Sequence, residues 1–244
     1  MRGIGLIWMV AGLVLPGYAN TIRFDHQLGN QSASAQFTLL NNGNLQVTLA
    51  NTAVGSAASE RDVLTAFFFS LSPAVTLTPI SVVLASGSSI VNCSSCGTPR
   101  NLNGEWGYAA GVQGFAFQPV HFVGAASHGV LDASSLFGGR NLWGPRDLDG
   151  IDFGLVSYST APGAAAFTGS PLVRNQVVIT FGVQGPLQLS AIGTVGFLYG
   201  HLSGNSSAYA AGFDIPEPSS FLLLGAGLAG LYWRRRASSK LGST

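Results

Sequence analysis

Two short runs of alternating side chains, facing each other across a turn, constrain the fold most. Phe37 and Leu39 alternate with Gln36 and Thr38, and Leu45, Val47 and Leu49 alternate with Gln46 and Thr48. A period of two puts every apolar residue of a strand on one face. Between the runs lies Asn41-Asn42-Gly43-Asn44, and Asn and Gly tolerate the positive φ that a tight hairpin turn needs. Val177, Ile179, Phe181 and Val183 repeat the pattern, with Val178 and Thr180 opposite. Residues 63–71 and 75–85 are further strand-like runs, separated near Ser72-Pro73. Pro79 has no N–H for a ladder, so the second run is expected to be interrupted or to lie at an edge. Residues 195–199 read as the last strand, and the Gly/Ala-rich stretches 109–114 and 161–169 read as loops. Charged residues are 9% of the chain, too few for the polar outer faces of soluble helices. The expectation is an all-β chain, with one β-sandwich-like domain over residues 20–214.

The two ends read differently. Met1-Arg2-Gly3 precedes an apolar stretch over 4–15 and then Pro16-Gly17-Tyr18-Ala19. One positive charge, a short apolar run and a small-x-small ending make a secretory signal peptide over 1–19. Signal peptidase is expected to cut between Ala19 and Asn20. At the other end stand Ile215, then Pro216, Glu217 and Pro218, an apolar segment over 221–233, and Arg234, Arg235 and Arg236. The prolines fix φ and keep the segment extended. The apolar segment, at 1.5 Å rise per residue, is about 20 Å long as a helix, short of a hydrocarbon core of about 30 Å. The Arg cluster stops transfer and stays cytoplasmic, with 237–244 as a cytoplasmic tail.

This three-part end resembles the PEP-CTERM sorting signal, over about residues 215–236. The resemblance implies that a membrane-embedded exosortase is the processing partner, with Pro216, Glu217 and Pro218 as substrate. It departs from the usual pattern in having Ile215 where Val is commoner, and in the eight residues after Arg236. Four blocks in the middle resemble one group of exosortase-dependent surface proteins. They are 62–69, 104–109, 141–145 together with 149–155, and 171–173 with Asn175. That likeness implies one cohesive domain and no particular chemistry.

Three constellations remain. Cys93 and Cys96 are the two cysteines. In an exported chain an even count favours a disulfide; free thiols and a redox or metal pair are the other readings. Asp147, Asp149 and Asp152 surround Gly150 and are candidate calcium ligands. The same residues also read as an Asx-type turn feeding a strand over 151–156. Glu105, with an Asp of that loop, could form the carboxylate pair of a glycosidase. Trp106, Tyr108 and Trp143 would stack on sugar rings if exposed and belong to the core if buried. His26, His121, His128 and His201 lie far apart without ligand spacing, and no Gly-x-Ser-x-Gly nucleophile elbow occurs.

Residues 20–214 hold six basic and nine acidic residues, a net charge of −3, with no basic stripe. Nucleic-acid binding is therefore not expected. The sequence leads to an exported, non-enzymatic surface or matrix protein without cofactor. It would pass through the inner membrane as an intermediate and associate with exopolysaccharide or biofilm at the cell surface or outside. The alternatives are a carbohydrate-binding module and a matrix glycoside hydrolase.

Overall fold

The computed structural model describes residues 20–72, 75–96, 100–113, 120–125, 131–142, 150–163, 167, 169–200 and 208–212. The leader (1–19) and the tail (213–244) lie outside them, and so do Trp143, Asp147, Asp149, His128 and His201. The strands in chain order are β1 (Thr21–Leu28), β2 (Gln31–Leu39), β3 (Leu45–Asn51), β4 (Leu64–Leu71), β5 (Thr76–Leu84), β6 (Ser89–Val91), β7 (Gly107–Val112), β8 (Val120–Gly124), β9 (Leu155–Val156), β10 (Leu172–Arg174), β11 (Gln176–Gln184), β12 (Ile192–Tyr199) and β13 (Ala208–Gly212). Apart from single 3-10 turns, the described residues form no helix.

One sheet has five strands in the order β1-β2-β3-β11-β5. β2 and β3 form the expected hairpin, with Phe37 opposite Val47. Its turn closes by the Leu40 N–H donating to Asn44 O (2.9 Å), with Gly43 at φ 83°. β5 is an outer strand, and the ladder slips where Phe181 meets Pro79. Pro79 thus sits at the sheet edge, in a strand that runs unbroken from Thr76 to Leu84 while its ladder shifts register. The other sheet runs β13-β12-β4-β9-β10-β6, with β8 branching from β4 and β7 pairing β8.

The sheets meet through aromatic side chains. Phe37 of β2 lies edge-on to Phe67 and Phe69 of β4, with ring centroids 6.2 and 5.2 Å apart. β4 is buried from Leu64 to Phe69, because its other face is covered as well. There Phe68 stacks on Phe122 of β8 at 6.3 Å, beside Ala66, Leu131 and Leu198. A strand covered on both faces reads as an unbroken apolar run rather than an alternating one.

Three expectations need correction. Residues 109–112 are not a loop but belong to β7; Gly111 at φ 72° and a register slip between Ala109 and Val112 explain the glycine. β12 is not the last strand, since β13 pairs with it from Val195–Gly212 to Tyr199–Ala208. The strand expected over 151–156 shrinks to Leu155–Val156. Residues 151–153 turn instead, and buried Phe153 sits at φ 57°. That conformation costs an L-residue about 1–2 kcal/mol. It is held by Phe153 N–H donating to Pro171 O (2.6 Å) and Gly154 N–H donating to Ile151 O (2.9 Å).

The blocks that the sequence singled out are neighbours in space. Leu64 pairs with Leu155, and Val173 N–H and Asn175 N–H donate to Gly154 O and Val156 O, each at 2.9 Å. Buried Asn51 ties this junction to β3, its Nδ2 donating to Asp62 O and Leu155 O, both at 3.0 Å. Residues 103–107 similarly clasp residues 136–142. Phe137 N–H donates to Trp106 O (2.9 Å), Asn103 Nδ2 donates to Gly138 O (2.8 Å), and Leu142 N–H donates to the Glu105 carboxylate.

The clasp needs Gly104. A Cβ there would stand 2.3 Å from the Arg140 carbonyl carbon and 2.4 Å from Asn141 N, both backbone. Gly104→Ala should therefore cost about 1–3 kcal/mol of unfolding free energy, the range for overpacking. Gly138→Ala, with nothing within 4 Å of its Cβ, should stay within about 0.5 kcal/mol of wild type. Denaturant melts of the two variants check this; equal stabilities would refute the clasp.

Candidate functional site

At one end of the sheets the β1–β2 turn faces the segment that leaves β3. Gly29, at φ 57°, and Asn30 make the turn. The departing segment is fixed by hydrogen bonds rather than by a ladder. Thr52 N–H donates to Ser32 O (2.7 Å), and the two hydroxyls of Ser32 and Thr52 are 2.7 Å apart. Ser157 Oγ donates to Gly55 O (2.6 Å), and Ala57 N–H donates to Thr160 Oγ1 (3.0 Å). Asp62 Oδ2 accepts from the N–H groups of Ala58 and Ser59 at 2.9 and 3.0 Å.

Between these walls lies a cleft of about 400 Å³, within the range of small-ligand sites. Its polar lining comes from Gln27, Asn30, Ser32, Thr52, Ser56 and Asp62, among others, and no Lys, Arg, His or aromatic side chain lines it. Its chemistry is that of amides and hydroxyls with one carboxylate. The sequence reading missed this site. Its residues come from separate stretches and match no spacing pattern; Gly29-Asn30 and the polar run at 51–56 were the available signals.

The residues singled out from sequence fall elsewhere. Trp106 is fully buried, so it belongs to the core, while Tyr108 is half-buried. Glu105 is 5% exposed and binds the Leu142 amide; it supports the 136–142 segment. Among the described residues, no group of three or more His, Cys, Asp or Glu is placed to hold a metal. Cys93 and Cys96 form a disulfide with Cα atoms 5.5 Å apart. So short a loop removes little chain entropy, worth about 2 kcal/mol. The loop entrance is fixed by Asn92, at φ 62°, whose Oδ1 accepts from Gly163 N–H at 2.6 Å. Among the described residues the exposed aromatic ring is Tyr158, with the Arg174 guanidinium carbon 5.6 Å from its centroid.

Tyr108 of β7 and His121 of β8 form a polar pair, Tyr108 Oη lying 2.8 Å from His121 Nδ1. They sit against Phe69 and Phe181, with His121–Phe69 centroids 5.2 Å apart and Tyr108–Phe181 centroids 5.1 Å apart. Burial pushes the Tyr108 phenol up to about 12 and the His121 imidazole below its ordinary value. Both groups are thus held uncharged and share one hydrogen bond. Burial lowers His26 as well, where its ring stacks on Phe197 with centroids 6.0 Å apart.

Among the described residues, no helix is long and apolar enough to cross a membrane. The Pro216–Pro218 motif, the Arg234–Arg236 cluster and the short apolar span lie outside them. Comparison with known families finds the PEP-CTERM protein-sorting motif at residues 214–236. The chain is thus an exosortase-targeted exported protein, sent through the membrane toward the cell surface. No curated protein and no solved structure matches the chain.

The two half-buried histidines make stability pH-dependent. The unfolded chain takes up protons as the pH falls through 6.5, while the folded chain, with both imidazoles lowered, does so only at lower pH. The stability from burying neutral rings is therefore complete above pH 6.5 and lost as the pH falls below it. Urea midpoints should drop between pH 7 and pH 5, and His121→Gln should flatten part of that drop. A midpoint that rises on acidification would contradict the assignment.

Proposed function

We propose that the chain is a non-enzymatic protein of the cell surface or extracellular matrix, associated with exopolysaccharide or biofilm. It loses a signal peptide after Ala19, is held in the inner membrane by its C-terminal span, and is then cut by exosortase. The observation that carries this reading is the sorting motif over 214–236, which begins two residues after the end of β13 at Gly212. The tail thus follows directly on a folded β domain. The reactive groups for processing belong to the exosortase, and this chain contributes the substrate.

A second reading, a carbohydrate-binding module, is favoured by the cleft of amides and hydroxyls between the β1–β2 turn and residues 51–58. The hydrolase reading has less support, because Glu105 is engaged in holding Leu142 in place.

Processing should depend on Glu217, the one charge between Asp214 and Arg234, which an enzyme at the membrane surface can grip. Glu217→Ala should leave an uncut chain in the inner membrane, as should loss of the exosortase. An immunoblot of fractionated cells compares wild type, Glu217→Ala and an exosortase-deficient strain. One mature size in one fraction for all three would mean that the tail is only an anchor.

A further inference from the structure

The polar cleft has two properties that together specify a ligand. The first is a polar wall already fixed in shape. Hydrogen bonds from Ser157, Thr160 and Asp62 hold residues 55–59, and those between Ser32 and Thr52 hold the facing side. A ligand entering such a site orders little of the protein, so less of its interaction energy is lost on binding. The side chains offered are amides and hydroxyls, which both donate and accept. The second property is apolar surface at the rim. Val54 lines the cleft and is 93% exposed. Single exposed apolar side chains are ordinary. Here one of the four large ones among the described residues stands on the lining itself.

Polar walls beneath an apolar rim match a molecule with hydroxyls on its edges and C–H groups on its faces, which is the surface of a sugar ring. Charge narrows the class. No cation lines the cleft, and Asp62 contributes a carboxylate. An acidic sugar would meet the like charge of Asp62, which disfavours it. A neutral sugar meets no such cost.

We propose that this cleft binds a short stretch of a neutral glycan, and that it is the point at which the exported domain holds the polysaccharide around the cell. The proposal rests on the matrix reading above and adds the site and the charge class of the ligand. Ser56, exposed on the lining, is the place to block it, because an Arg there fills the opening and offsets the Asp62 charge.

The test is calorimetric titration of the full chain in detergent with maltotriose, cellotriose, mannotriose, trigalacturonate and trialanine. At least one neutral trisaccharide should bind in about the millimolar range. Ser56→Arg should weaken that binding by about tenfold or more, a difference of about 1.4 kcal/mol. Gln27→Ala should weaken it in the same direction, and Tyr158→Ala, outside the lining, should leave it unchanged. Trigalacturonate and trialanine should bind no better than buffer. The proposal is overturned if no neutral trisaccharide saturates, if both cleft variants bind like wild type, or if the acidic sugar or the peptide binds as well as the neutral sugars. The same variants are scored for tail processing in cells. Ser56→Arg should be cut normally, so lost glycan binding leaves the sorting reading intact, whereas uncut wild type would strike that reading alone.

Discussion

The structure depends on burying strand β4 on both faces. Phe67 and Phe69 point to the five-stranded sheet and meet Phe37, while Phe68 points the other way and meets Phe122. β4 also supplies ladder partners to β12, β8 and β9. Truncating one such ring typically costs about 3–5 kcal/mol, a large part of the stability of a domain. The remaining elements are arranged around this strand. β8 and β7 cover its outer face, the 103–107 clasp holds residues 136–142 against β7, and the turn at Phe153 brings β9 alongside its start.

The sequence made legible what rests on local periodicity. The β2–β3 hairpin follows from alternation plus an Asn-Gly turn, and the edge position of β5 follows from Pro79. Other features depended on contacts between distant residues. β7 was hidden because Gly111 and the alanines looked like a loop, yet its strand geometry is imposed by pairing with β8. The turn at Phe153 was hidden because a phenylalanine at positive φ is locally unfavourable and is held there by Pro171 and Ile151. The cleft could not be read at all, since its walls join only when β1, β2 and the segment after β3 have folded. Trp106 and Glu105, chosen for their chemistry, proved to belong to packing and to the clasp.

The two functional parts sit differently in the chain. The cleft is built from the early strands, with Ser157 closing it from the middle of the sequence. The sorting motif begins two residues after the end of β13. Five residues of fully extended chain, from Gly212 to Glu217, reach at most about 18 Å. An exosortase acting on Pro216–Pro218 would therefore work close to the edge of the folded sheet, and a cut there would leave the β domain with its cleft complete.

The central claim is that both ends are removed and the β domain is what persists outside the cell. Intact-mass analysis of the protein recovered from the envelope and the medium, with sequencing of its terminal peptides, tests this most directly. The account predicts a chain that begins at Asn20 and lacks Arg234, Arg235 and Arg236. A mature protein that still carries Met1, or that retains the arginine cluster in the exported fraction, would contradict it.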